Sequence, residues 1–176
     1  MRILLHICCA PCGTSAVERL LDQGHGVTLF FSNHNIDTRQ EHDLRLLQVE
    51  KLADHFNTTL LVDPPDNEAW LKGVAGLENE PERGRRCAVC FRYALGRTAA
   101  KMEQDGYDGF CTTLTTSPHK VAPIIFQIGR ELGGERFLPF DFKKSEGFKR
   151  SLVLSNELGL YRQSYCGCLF SRRVTN

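Results

Sequence analysis

Residues 2–12 read Arg2-Ile-Leu-Leu-His-Ile-Cys-Cys-Ala-Pro-Cys12. An apolar, β-rich run over residues 2–8 gives way to a pair of cysteines, a small residue and a proline. That pattern reads as a buried strand running into a turn. Just beyond it, Ser15-Ala-Val-Glu18 has the spacing of a capping box and predicts the start of the first helix, with Leu20 and Leu21 on its apolar side and Gly24 ending it. A strand handed over to a helix is the opening unit of an α/β fold.

The same alternation continues along the chain. Residues 27–33, 58–63, 108–113 and 136–142 are further apolar β-rich runs. Thr38-Arg-Gln-Glu41 is a second capping box, ahead of Leu46, Val49, Ala53 and Phe56 at helical spacing. Phe91, Leu95, Thr98 and Met102 form a third stripe, and Ser117-Pro118 predicts the cap and first turn of a helix bearing Val121, Ile124, Ile128 and Leu132. There is no internal repeat, low-complexity tract or linker. The pattern predicts one α/β domain over residues 1–176, a mostly parallel sheet with helices on both faces. Ligands of such sheets sit outside the carboxyl ends of the strands. Cys8 and Cys9 after the first strand, Asn33 after the second, Asp63 after the third, Thr112 and Thr113 after the fourth and Asp141 after the fifth are therefore expected around one crevice.

The chain has 176 residues, 41% of them hydrophobic and 24% charged, so it can bury a core without covalent staples. Its net charge of +1 excludes a uniformly basic nucleic-acid binder and leaves only local clusters of Lys and Arg as a nucleic-acid surface. The apolar N-terminal run is too short for an export signal or a membrane span, which predicts a protein of the reducing cytoplasm with no membrane association. Eight cysteines there point to metal or redox chemistry rather than structural disulfides.

Seven of the eight cysteines fall into three groups: Cys8-Cys9-Ala-Pro-Cys12, Cys87-Ala-Val-Cys90 and Cys166-Gly-Cys168. A Cys-x-x-Cys pair entering a helix puts two sulfurs within reach of one metal, beside a helix terminus that favours thiolate. A second pair completes four thiolates, enough for zinc or an iron–sulfur cluster. The adjacent Cys8 and Cys9 suit a cluster better than a zinc knuckle, whose paired ligands are separated by two to four residues. A disulfide closed between Cys166 and Cys168 would be strained and easily reduced, so that pair reads as redox-active or as ligands of a second metal. Cys111, alone in an apolar run, reads as a small buried hydrophobe. Cys12 is a ligand or a packing residue.

Asp141 reads equally as an iron ligand beside soft sulfurs or as a cap or ion-pair partner of Lys143 or Lys144. His6 reads as a core histidine. His34 and His119 sit in loops at strand ends, more often solvated than ligand-facing. Basic residues cluster at Arg83-Gly-Arg-Arg86 with Arg92 and Arg97, at Lys143, Lys144, Lys149 and Arg150, and at Arg162, Arg172 and Arg173. Each group adjoins a cysteine motif or Asp141, a placement that suits a phosphate backbone; Phe148, Tyr161, Tyr165 and Phe170 among them could stack on an unpaired base.

Taken together, His6-Ile-Cys-Cys-Ala-Pro-Cys12, Cys87-Ala-Val-Cys-Phe-Arg-Tyr93, Thr112-Thr-Leu-Thr-Thr-Ser-Pro-His-Lys120, Asp141-Phe-Lys-Lys144 and Leu160-Tyr-Arg-Gln-Ser-Tyr-Cys-Gly-Cys168 resemble the cobalamin-independent epoxyqueuosine reductase family, QueH, over nearly the whole chain. The resemblance implies a HUP-like fold of the adenine-nucleotide alpha-hydrolase group. It implies an oxidoreductase that removes the epoxide oxygen of epoxyqueuosine at the wobble position of tRNA, the last step of queuosine biosynthesis, with electrons from an external donor. It implies a [4Fe–4S] cluster on Cys8, Cys9, Cys87 and Cys90. It also implies either a redox-active pair at Cys166 and Cys168 or a mononuclear iron that they hold with Asp141. The chain has His34 where the family usually has proline.

Two other readings are available. A tRNA sulfur-transfer enzyme of the same broad fold would need an ATP-binding Ser-Gly-Gly-x-Asp-Ser-like loop after the first strand, where this chain has Cys-Cys-Ala-Pro-Cys-Gly. A zinc-binding RNA module would leave Cys166-Gly-Cys168 without a role.

Overall fold

A computed structural model describes residues 1–172. The first strand, β1 (Arg2–His6), alternates its side chains across the sheet: Ile3 and Leu5 enter one apolar cluster, Leu4 the other. Both faces are therefore covered, as an all-parallel sheet requires. β2 (Gly26–Phe31), β3 (Thr59–Val62) and β4 (Gly109–Thr112) complete a four-stranded sheet in the order β3-β2-β1-β4, every pairing parallel. Helices α1 (Ala10–Asp22) and α2 (Arg39–His55) bury Ala16, Val17, Leu20, Val49 and Leu52 against one face; α4 (Arg85–Asp105) and α5 (Ala122–Gly133) bury Phe91, Leu95, Met102, Ile125 and Ile128 against the other. Two further α-helices, α3 (Asn67–Gly73) and α6 (Gly147–Glu157), lie outside the apolar stripes read from the sequence.

The strand order positions the site. From β1 the chain steps outward through β2 to β3, then returns to place β4 on the opposite side of β1. The crevice of such a sheet opens where the order reverses, at the carboxyl ends of β1 and β4. The peptide N–H of Cys8 donates to Thr113 Oγ1 at 3.2 Å, tying the two strand ends together.

Four expectations need correction. The fifth strand over 136–142 does not form: the segment makes one parallel bridge, Phe110 with Phe137, because Pro139 has no N–H to continue a ladder and the Phe140 carbonyl is taken by Thr115 Oγ1 at 2.8 Å. The first helix starts at Ala10, not at the Ser15 capping box; Cys9 is extended (φ −164°, ψ 151°) and Pro11 occupies the first turn, where its missing N–H costs nothing. The Ser15 hydroxyl, inside the helix, has no hydrogen-bond partner. The helix expected at Ser117 begins at Ala122, again with a proline, Pro123, in the first turn. Finally, β1 stops at His6 and β2 at Phe31, so Cys8, Cys9 and Asn33 stand just past their strands. The Thr38 cap is as expected, its side chain accepting from Glu41 N–H at 3.1 Å.

Candidate metal centre

Beyond β1 the chain turns sharply into α1, and the turn gathers three sulfurs. The thiols of Cys8, Cys9 and Cys12 all lie within 4.8 Å of one another, with Cys8 and Cys9 Sγ 4.0 Å apart. Cys9 is the N-cap residue and Cys12 lies in the first helical turn, so both face the positive end of α1. Three buried thiols so close cannot all ionise. Hydrogen bonds from Cys12 and Cys8 hold Cys9 well below the usual thiol range. Hydrogen bonding to Cys8 and Cys9, with burial, pushes Cys12 up. The Cys12 hydrogen bond would lower Cys8, but Cys9 and burial push it up to about 12.

A cavity of about 370 Å³ opens over this triad, lined by Cys8, Cys9, Cys12, Cys87, Cys90, Cys166 and Cys168. Seven of the eight cysteines thus line one space. Cys111 is absent from the lining; it is 1% exposed in β4 and burial pushes its thiol up, in accord with a packing role. All eight are free thiols. Cys87 and Cys90 sit in the first two turns of α4, and burial raises both, Cys90 to about 12. The only acid in the lining is Glu82. A donor set this rich in soft sulfur and poor in carboxylate fits an iron–sulfur cluster or zinc and disfavours magnesium or calcium.

Cys166 and Cys168 arrive on a loop beyond α6, which is held by side chains. The buried Arg45 of α2 donates from Nη1 to the Cys166 carbonyl at 2.9 Å, from Nη2 to the Tyr165 carbonyl at 3.2 Å and from Nε to Glu41 at 2.7 Å. The Asp37 N–H donates to the Gly167 carbonyl at 3.0 Å. Gly167 has φ +119°, and a Cβ there would meet Arg45 Nη1 at 3.1 Å and Ile36 Cγ1 at 3.2 Å, so both conformation and space require glycine.

The sequence reading assigned no role to Lys120, which follows the Ser117-Pro118 turn. Its Nζ lies 2.8 Å from Cys166 Sγ. Burial alone would lower this ammonium, but the sulfurs of Cys166, Cys90 and Cys8 reverse that and raise it. The other buried cations of the lining are already engaged: Arg45 as above, and Arg86 by the carbonyls of Leu77, Glu78 and Glu80. Only the position of Lys120 between two cysteine groups hinted at its place, and its burial depends on loops distant in sequence.

Asp141 does not line the cavity. Its carboxylate is 3.2 Å from Lys143 Nζ, the ion-pair reading. Asp63 is also outside, paired with Arg97 and accepting from Ser32 at 2.7 Å. His34, expected in a solvated loop, is 2% exposed: Nδ1 accepts from Asp66 N–H at 2.8 Å, leaving Nε2 to donate to Asp63 at 2.9 Å. His6 lines the cavity floor, where Nε2 donates to the Ser32 carbonyl at 3.2 Å and Nδ1 accepts from Thr112 Oγ1 at 2.8 Å. His119 is at the mouth, 3.5 Å from Arg83.

Much of the expected basic rim is internally neutralised. Arg92 pairs with Glu131, Arg97 with Asp63, Lys149 with Glu146, Arg150 with Glu18 and Arg172 with Asp37. Arg83 and Arg162 line the cavity and have no carboxylate partner among the described residues. Of the four aromatics, Phe148 and Tyr165 line it; the Tyr161 hydroxyl donates to Glu41 at 3.2 Å and Phe170 packs on Trp70. Arg173 lies outside the described residues.

A parallel α/β sheet whose switch-point crevice is lined with cysteines defines a class of cysteine-rich α/β proteins able to hold a metal. The comparisons narrow it. The model of the family described as "Epoxyqueuosine reductase QueH" matches residues 3–174. Relatives with that name include a protein of Streptococcus pyogenes serotype M1, 39% identical over 98% of this chain and 71% of its own length. Others are from Staphylococcus epidermidis, 36% identical over 97% of this chain and 76% of its own, and from Thermotoga maritima, 35% identical over 96% and 89%. The chain belongs to the QueH family. No helix of the described residues is long and apolar enough to cross a membrane.

Proposed function

We propose that this chain is an epoxyqueuosine reductase acting on the wobble nucleoside of tRNA. The observation that supports this most is the gathering of seven cysteines, from three separated segments, around one cavity. The reaction removes one oxygen: two electrons and two protons convert an epoxide to an alkene and water, breaking two C–O bonds and forming the second bond of C=C. An external donor supplies the electrons.

Cys8 and Cys9 from the β1–α1 turn and Cys87 and Cys90 from α4 are the proposed ligands of a [4Fe–4S] cluster, which supplies electrons one at a time when bound. Cys12 is a competing ligand, a reading favoured by its place within 4.8 Å of Cys8 and Cys9. Cys166 and Cys168 are the proposed redox pair or second iron site; the Asp141 carboxylate, 3.2 Å from Lys143 Nζ, is read as an ion-pair partner. Lys120 holds a proton at Nζ beside Cys166 and compensates the negative charge of the cavity sulfurs. Arg83 and Arg162 are the proposed contacts to the RNA phosphates, with Tyr165 and Phe148 beside the entering base.

The test is anaerobic reconstitution with iron and sulfide, chemical reduction, and incubation with tRNA that carries epoxyqueuosine. Nucleoside mass spectrometry should show loss of one oxygen without added cobalamin. No conversion by protein with a full iron and sulfide content would end this reading. Counting iron after Cys87→Ser and Cys12→Ser sorts ligand from neighbour.

A further inference from the structure

The run Thr112-Thr-Leu-Thr-Thr116 leaves β4 as a single 3-10 turn over Thr113–Thr116, and all five residues are buried. A buried hydroxyl needs a partner. Two of these find theirs on the β1–α1 turn: the Thr116 hydroxyl donates to the Cys12 carbonyl at 3.0 Å, and Thr113 Oγ1 accepts from Cys8 N–H at 3.2 Å. The threonine turn thus braces both ends of the segment that carries the three clustered sulfurs. Thr113 does more than brace, because its Oγ1 also lies 3.6 Å from Cys8 Sγ. A hydroxyl has one proton and two lone pairs. One lone pair takes the Cys8 N–H, so the proton is left to donate, and the Cys8 sulfur is its acceptor among the described residues. Cysteine ligates as thiolate and then has no S–H of its own, so in a metal-bound state only the hydroxyl can be the donor. Thr113 is fully buried and does not line the cavity, which screens the contact from solvent. A hydrogen bond to a charged acceptor is strong in such surroundings.

We infer that Thr113 is a positioning residue for the redox centre: its hydroxyl donates to the Cys8 sulfur, fixes the direction of that sulfur, and favours the reduced form of the centre that Cys8 helps to hold. This rests on Cys8 being a ligand, as proposed above. Reduction adds negative charge that spreads onto the ligand sulfurs, so a donor held against one of them stabilises the reduced state and raises the potential.

The experiment compares full-length wild type with Thr113→Val, which keeps the branched shape and removes the hydroxyl, and with Thr113→Ser, which keeps the hydroxyl and removes the methyl. All three are reconstituted without oxygen, assayed for iron and sulfide, and titrated for midpoint potential. With metal content equal, Thr113→Val should favour the oxidised centre on the order of tenfold, about 59 mV lower for a one-electron couple, and Thr113→Ser should stay near wild type. An unchanged potential in Thr113→Val at full metal content overturns the inference. So does a Thr113→Ser potential that falls as far as that of Thr113→Val, because packing of the methyl would then be responsible. Should Thr113→Val fail to fold, Thr113→Ala, which adds no bulk, makes the same comparison. Iron content of Cys8→Ser reads the ligand assignment separately. Full content there removes Cys8 from the ligand set and takes this inference with it, whereas a metal-poor Cys8→Ser beside an unshifted Thr113→Val ends the inference alone.

Discussion

The two ends of the cysteine set reach the same cavity by different means. Cys8, Cys9 and Cys12 are placed by the backbone: a parallel strand ends, an extended residue follows, and a proline-started helix brings the third sulfur round. Cys166 and Cys168 are placed by contacts from distant segments, chiefly the side chains of Arg45 and Lys120, with one backbone hydrogen bond from Asp37 N–H to the Gly167 carbonyl. The first group is as rigid as the sheet. The second depends on a few polar contacts that can be removed one at a time.

The largest test of that contrast is loss of a sulfur. Cys9→Ser should abolish turnover together with most bound iron, whereas Cys168→Ser should abolish turnover and retain the iron–sulfur chromophore; visible absorption and iron assay distinguish them. If both bleach equally, the two groups serve one centre. Next, Lys120→Met should lower turnover roughly 100-fold, the scale on which one preorganised electrostatic contact acts in a buried site, with iron content kept; single-turnover assay reads this. Arg45→Ala leaves the half-buried Glu41 with only the Tyr161 hydroxyl and should cost about 2 kcal/mol in urea unfolding, and turnover should fall because the loop is released. Gly167→Ala, forced into positive φ against Arg45, should cost about 1–2 kcal/mol and slow turnover less.

The smallest expected effect on activity comes from a control away from the cavity. Burial alone would raise the Asp63 carboxyl, but Arg97, Ser32 and His34 hold it down to about 2. Because the folded value lies below the unfolded one, its contribution is present above the unfolded pKa near 3.8 and is lost as pH falls through 2. About 2 kcal/mol should disappear over that window. Asp63→Asn should flatten the acid limb of the stability curve while turnover at neutral pH stays near wild type.

The same division explains what could be read from the chain beforehand. Apolar alternation and the Thr38 cap disclosed the α/β sheet, because strand and helix periods are local properties. The three cysteine groups disclosed residues that line one cavity. Ser15 misled because a capping box is only a spacing; the true cap, Cys9, has no side-chain hydrogen bond to advertise it. Residues 136–142 had strand composition, but Pro139 and the Thr115 hydroxyl stop the ladder after one bridge. Lys120 and Arg45 stayed hidden since each acts on Cys166, 46 and 121 residues away along the chain, and nothing local marks a lysine destined for burial. The basic rim looked larger than it is because acids distant in sequence pair with Arg92, Arg97, Arg150 and Arg172.

The order in which the cavity walls appear along the chain has a consequence for biosynthesis. The β1–α1 sulfurs come first, α4 brings its pair at mid-chain, and Cys166 and Cys168 follow the last α-helix. A nascent polypeptide emerging amino end first therefore displays an open, half-walled thiol nest for most of its translation. A metal delivered early would meet the triad before Cys166 and Cys168 join the cavity lining. Maturation is expected to be post-translational, with insertion of the metal following completion of the fold.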